Sequence, residues 1–248
     1  MVELDSEQGP GLHKSLFANE SNLDKYRRMV SGDISWLKMV YFEIVFLFFS
    51  LIPGALGLLC RKYLYRPLFK QVGKNVTFGR NVSLRHPHKI VIGDNVIIDD
   101  ECLLDAKGGS NQGIKLGDYV SVGRSSSLVC KNGDINIGSH VNIGTMVKMV
   151  VAESGEIKFG SNIDIGSGCH FSGGSYDYSQ MDKLPSTQRQ PTKGIFVEDF
   201  AWIGAGVIVL DGVRIGSKSI LGAGSVVTQD IPPKSIAYGV PAEVRKER

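Results

Sequence analysis

From Ile203 to Val227 an aliphatic residue stands at every sixth position: Ile203, Val209, Ile215, Leu221 and Val227. Glycine follows at once at Gly204, Gly216 and Gly222, and a small residue stands four places on at Val207, Val213, Ser219 and Ser225. The same phase recurs at Leu116-Gly117 and Val122-Gly123, at Ile137-Gly138 and Ile143-Gly144, and at Phe159-Gly160 and Ile165-Gly166, with looser echoes at Ile92-Gly93, Ile98 and Leu104. Six matches neither the 3.6-residue period of a helix nor the two-residue period of a half-buried strand. It fits short strands joined by tight corners, three to a coil of about eighteen residues, each turning one aliphatic side chain into a triangular prism. The glycine and the small residue suit corners where the backbone takes unusual torsions or lies close against the next coil. An ordinary β-sandwich would show irregular turn spacing and alternating polarity instead.

Both ends of such a solenoid need cover, because stacked parallel coils leave open strand edges. Residues 71–228 form the expected parallel β-helix. Residues 229–248, with Ile231-Pro232-Pro233 and a charged tail, are placed to cap its last coil. Residues 1–35 are polar, and residues 36–70 carry N-terminal apolar helices. Ile44 to Cys60 is an uncharged run of 17 residues, at the lower limit for crossing about 30 Å of hydrocarbon, and Pro53-Gly54 breaks it. Lys25, Arg27, Arg28 and Lys38 precede it, and Arg61, Lys62, Arg66 and Lys70 follow. Basic flanks on both sides favour a broken helix that dips into, or lies in, the cytoplasmic face of a membrane. The alternative is a hydrophobic cap buried on the first coil or between subunits.

Composition removes several function classes. Lys and Arg total 28 against 25 Asp and Glu, a balance that does not suggest a nucleic-acid binder. Cys60, Cys102, Cys130 and Cys169 lie far apart, which reads as small buried thiols in a reducing compartment. The five histidines do not offer a metal-binding set of three on neighbouring coils, so no metal is expected. The repeat breaks once, between Phe171 and Phe196, where residues 172–195 carry a Gly- and Ser-rich run and a polar stretch before the phase resumes. An excursion from a solenoid marks a site.

The stretch Trp202-Ile-Gly-Ala-Gly-Val207, with Leu210 to Gly216, Leu221 to Thr228, Asp230 to Pro233 and Gly239-Val-Pro-Ala242, resembles the C-terminal signature of hexapeptide-repeat acetyltransferases acting on galactosides, maltose, serine and surface polysaccharides. The resemblance runs from about Val76 to Arg248. It implies a left-handed β-helix, a homotrimer, and acetyl-CoA as cosubstrate in a groove between subunits. It places the pantetheine arm against Gly204, Ala205 and Ala223, with Trp202 heading the signature, Thr228 as a further contact, and Lys246 beside Arg245 for the phosphates. Gln229 and Glu243 stand where relatives often carry Lys or Arg.

Acetyl transfer needs a base for the attacking hydroxyl or amine, and the family's base is a histidine. The loop that usually reads Gly-Gly-x-His-Asp is here Gly173-Gly-Ser-Tyr-Asp177, so Tyr176 occupies the histidine's place. A phenol with an ordinary pKa of about 10 is a poor base at neutral pH. His170, the sixth residue of its hexapeptide, is expected to point outward at the root of the excursion and is the strongest candidate. Tyr176 then positions the acceptor, and Asp177 orients a base or pairs with a basic acceptor. His140 sits at an outward corner, and His86 and His88 lie four coils away, about 19 Å along the axis. Two function classes follow. One is a membrane-associated O- or N-acetyltransferase acting on a sugar, a lipid-linked glycan or another amphiphile. The other is a non-catalytic trimeric scaffold that kept the fold and lost the base.

Overall fold

A computed structural model describes residues 21–32, 34–175, 179, 181–182, 188 and 191–248. Tyr176 and Asp177 lie outside the described residues. Short strands stack into three sheets of seven, nine and seven strands, parallel except for the last strand of the second, and through the coils every third strand of the chain lies on the same face. The first face runs from Gln71–Val72 to Arg214–Ile215, the second from Thr77–Phe78 to Ala242–Glu247, and the third from Ser83–Arg85 to Val226–Val227. The result is a left-handed parallel β-helix of about seven coils: the period of six predicts the coils, and the family resemblance implies their hand.

The repeat positions fill the prism. Ile203, Val209 and Ile215 are 0 % exposed, as are their counterparts Ile98, Leu128 and Phe171 in lower coils. Phe159 and Phe171 meet edge to face at 5.0 Å. The two small positions of each hexapeptide have different causes. Gly204 has no need of a left-handed torsion, but a Cβ there would stand 2.6 Å from the Ala223 amide of the next coil. The left-handed torsion falls two residues later, at Gly206 (φ 69°). The residue after it, such as Val207 or Ser225, turns inward and is buried.

Coil length is uneven, and all the excess falls at one corner. Val209 and its partner Val227 in the next coil are 18 positions apart, whereas Leu84 to Leu104 is 20, Leu104 to Leu128 is 24, and Phe171 to Val209 is 38. Steps from the first face to the second and from the second to the third keep the period of six, as in Ile137, Ile143 and Met149. Every insertion, the long excursion included, therefore lies between the third face and the first.

Three helices precede the coils: α1 (Asn22–Val30), α2 (Trp36–Phe49) and α3 (Gly54–Leu64). The inner side of α2 buries Met39, Phe42 and Val45. Arg61 of α3 is 1 % exposed and donates to Phe49 O (3.1 Å), Ile52 O (2.8 Å) and Phe78 O (3.0 Å), tying the helix break to the first coil. Tyr65 stacks on Phe46 and meets Phe78 at a tilt. The outer side stays apolar and exposed: Leu37 is 84 % accessible, Leu47 77 %, and Leu51 67 %. Among the described residues no helix is long and apolar enough to cross a membrane. At the other end, Ser235–Gly239 adds to the second face in parallel, and Ala242–Glu247 folds back antiparallel upon it to close the edge. Cys102, Cys130 and Cys169 are buried core thiols, while Cys60 on α3 is only half-buried.

Candidate active site

His170 opens the strand His170–Gly173 on the third face, with Phe171 turned inward and the imidazole outward and half-buried. Burial first, and the ammonium of Lys148 second, hold its pKa below the ordinary histidine value. Lys148 is its register partner in the coil below, and Ile208 in the coil above. At neutral pH the ring is therefore uncharged and able to accept a proton. His140 is stacked on Tyr119 at the opposite edge of the second face, and His86 lies four strands down the third face.

The corner beside His170, between the second face and the third, differs from the other capped corner. Between the first face and the second, side chains of the next coil cap the backbone N–H groups in succession. Lys74 donates to Asp94, Asp94 to Asp118, Asp118 to Ser139, Ser139 to Ser161 and Ser161 to Asp199, at 2.6–3.1 Å. The corner at His170 begins in the same way: Arg80 N donates to Asp100 Oδ1 and Thr145 N to Ser167 Oγ, with Arg124 an exception. From His170 upward the oxygens stop. Ala205 stands above Ser167, and Ala223 above Ala205, and alanine offers no acceptor. Among the described residues, the amides of Ser167, Ala205 and Ala223 have no protein partner. Three adjacent coils thus present open N–H donors about 4.8 Å apart, on a corner stripped of side chains. Cys169, buried beneath it, reaches Gly204 O at 3.1 Å, and burial raises its thiol pKa. That places it as packing.

His170, Gly204, Ala205 and Ala223 are thus brought to one corner. Trp202 projects from the second face next to it and is 55 % exposed. Its other side closes a recess of about 590 Å³ with Asp164, Phe200, Lys218 and Lys234. Thr228 is exposed at the far end of the third face, just past Val226–Val227. Arg245 and Lys246 project from the closing hairpin. Arg245 is engaged by Glu243 at 3.1 Å and lies over the Tyr238 ring, so Glu243 takes up charge that a phosphate would need. Lys246 forms no ion pair among the described residues. Two features escaped sequence reasoning. One is Lys148 under His170, hidden because that coil is 22 residues long rather than 18. The other is the run of open amides, signalled by the sequence Thr145, Ser167, Ala205, Ala223 along one corner.

Fold and corner together define a hexapeptide-repeat β-helix with a run of open backbone amides along one edge. Residues 194–229 match the model for the bacterial transferase hexapeptide (six repeats). Over 181 residues the chain is 32% identical to the dTDP-4-amino-4,6-dideoxy-D-glucose acyltransferase of Escherichia coli, covering 73% of this chain and 83% of that one. It belongs to the hexapeptide-repeat acyltransferase family. The galactoside O-acetyltransferase of Lactococcus lactis is 52% identical over 58 residues, which span 23% of this chain and only 28% of that protein. A point mutant of AntD, an N-acyltransferase from Bacillus cereus in complex with dTDP and coenzyme A, superposes with a TM-score of 0.51 at 25% identity, over 73% of this chain and 85% of that one. AntD with dTDP and 3-hydroxybutyryl-CoA shares the fold, with a TM-score of 0.54 at 23% identity over 80% and 90% of the two chains.

Proposed function

We propose that the protein is an acyl-CoA-dependent transferase that moves an acetyl group onto a hydroxyl or amine of a sugar acceptor at the cytoplasmic face of a membrane. The observation that carries this is the run of open amides at Ser167, Ala205 and Ala223 beside the neutral ring of His170. The bare corner fits the pantetheine arm and thioester of acetyl-CoA, with Gly204 and Trp202 flanking it, Thr228 further along, and Lys246 with Arg245 nearest the phosphates. His170 removes the acceptor's proton as its oxygen or nitrogen attacks the thioester carbon. An open amide stabilises the oxyanion, and the C–S bond breaks to release CoA as a thiol. Tyr176 and Asp177, in the excursion, shape the acceptor end. A homotrimer, with the donor groove between subunits, completes the reading.

The membrane half of the proposal rests on α2 and α3. Their inner side is spent on the first coil. Leu37, Leu47, Phe48, Leu51 and Leu56 of the two helices and their link are exposed, and Lys38, Lys62 and Lys70 belong to the same segment of the chain. Exposed apolar residues on a lysine-bearing segment suit an anionic lipid surface. The test is release of free thiol from acetyl-CoA by the detergent-purified protein, with and without sugar acceptors. Acceptor-dependent release is expected. Saturable acetyl-CoA binding without release for any sugar acceptor, glycosyl diphosphates included, would favour the non-catalytic scaffold.

A further inference from the structure

The corner that carries the open amides takes a left-handed residue in every coil, and the occupant changes partway up. Asn81, Glu101, Ser125 and Met146 hold the position first, with φ of 53–63°, and Gly168, Gly206 and Gly224 follow, with φ of 69–73°. The torsion does not by itself demand glycine, since fifteen non-glycine residues adopt it among those described, Tyr119 and Phe200 included. Nor is space short. A Cβ at Gly168 would come no closer than 4.0 Å to Gly206, one at Gly206 no closer than 3.9 Å to the Gly224 amide, and one at Gly224 would meet nothing within 4 Å. Three successive coils thus leave a channel clear of side chains along the open amides, and Met146 ends it. The Gly168 amide donates to Thr145 O and the Met146 amide to Arg124 O, so the two residues stand in one column, one coil apart. Two residues further on, Lys148 lies under His170 in the same register. The open amides stop at the same level: Ser167 N has no protein partner, whereas Thr145 N, one coil below, is taken by Ser167 Oγ at 3.2 Å. Met146, 60 % exposed, is therefore the first large side chain below the candidate base in that column.

We propose that Met146 sets the length of the acyl group, its side chain forming the floor on which the end of the acyl chain rests, so that acetyl is accepted and longer chains are refused. The inference rests on the acyltransferase reading, in which the phosphates lie toward Lys246 and the thioester beside His170. The carbonyl carbon then stands level with the coil of Gly168, and whatever follows it along the channel runs toward Met146. One coil spacing, about 4.8 Å, takes an acetyl methyl but not roughly three to four further methylenes, which need the volume that Met146 fills. An unbranched, polarizable thioether chain is suited to contact with a methyl group. Without the Met146 side chain the channel would gain one coil and no more. Below it Ser125 Oγ is bonded to Glu101 at 3.1 Å and the Arg124 guanidinium to Asp100 at 3.3 Å, a polar end that a hydrocarbon chain does not enter.

Calorimetric titration of the full chain with CoA, acetyl-CoA, butyryl-CoA and hexanoyl-CoA tests the floor without any turnover or knowledge of the acceptor. In the parent, CoA and acetyl-CoA should bind alike and hexanoyl-CoA about tenfold more weakly or worse. Met146→Gly should bring hexanoyl-CoA to within about threefold of acetyl-CoA and leave acetyl-CoA and CoA nearly unchanged. Glycine also relieves a left-handed methionine, so this variant should unfold no earlier than the parent. Met146→Leu, which keeps the volume, should keep the parent's order of affinities. The proposal is overturned if the parent binds hexanoyl-CoA as tightly as acetyl-CoA, or if Met146→Gly leaves their ratio where it was. In both of those outcomes CoA still binds and the acyltransferase reading stands. Failure of CoA and acetyl-CoA alike to bind the parent would instead sink that reading, and the floor with it.

Discussion

His170 has its proton affinity set by two neighbours of different kinds: the coil that half-buries it and the Lys148 ammonium below it. Both favour the neutral ring, so the acid limb of kcat/KM should fall below the ordinary histidine value near 6.5, and activity should persist into mildly acidic buffer. Lys148→Gln should move that limb upward but not all the way, since burial is the larger cause. A limb that stays put in the variant would remove Lys148 from the site. His86 is a second titrating group, with a structural role. It is 6 % exposed, contacts Arg28 O at 3.0 Å through Nε2, and faces His88, Lys89 and Lys107, so burial pushes its pKa down to about 4. The unfolded chain takes up a proton near pH 6.5 that the folded one refuses until about pH 4. Stability should therefore decline as pH falls through that window, by up to a few kcal/mol, and be regained on returning to neutrality. Thermal unfolding of His86→Gln should show a shallower pH dependence between those limits than the parent, against the background of carboxylates common to both.

At the scale of elements, the coils were open to reading and their irregularities were not. Ile203, Val209, Ile215, Leu221 and Val227 declare the solenoid because packing in a prism imposes one inward aliphatic residue per strand. The same rule says nothing about corner length. Once the third corner gains residues, as between Leu104 and Leu128, the phase slips and the upstream coils look only loosely periodic. His170 was recognisable from its place beside Phe171. Its neighbour Lys148, 22 positions away, was not, and no spacing argument reveals an amide without a partner. The apolar run Ile44 to Cys60 was legible as helical and broken. That one side of it seals the first coil depends on Arg61, a charge whose burial no hydropathy pattern predicts. Arg61→Leu would strip three carbonyls of their donor and should cost several kcal/mol, at about 1–3 kcal/mol for each unsatisfied group. Hydrogen exchange across α2 and α3 should accelerate well before that of the central coils. Equal protection in variant and parent would contradict the stitching role.

Across the whole molecule, the cap and the candidate base are separated along the axis by four coil steps, about 19 Å. The proposed function divides the molecule by place: the helical cap would meet the membrane surface and the upper corner would hold the thioester. Leu47→Glu with Leu51→Glu changes only exposed positions, so it should abolish flotation with anionic vesicles while the unfolding midpoint stays within a few degrees. Flotation that survives would leave the apolar side to a subunit contact. Sedimentation in detergent should give three chains per particle, and a stable monomer would count against a groove between subunits. The central claim is transfer of acetyl from CoA by a base at the open corner. It is tested most directly by comparing His170→Ala with the parent in single-turnover transfer and in acetyl-CoA binding. Transfer should fall by about 10² to 10⁴ with affinity for acetyl-CoA nearly unchanged, whereas full activity in the variant would contradict the account.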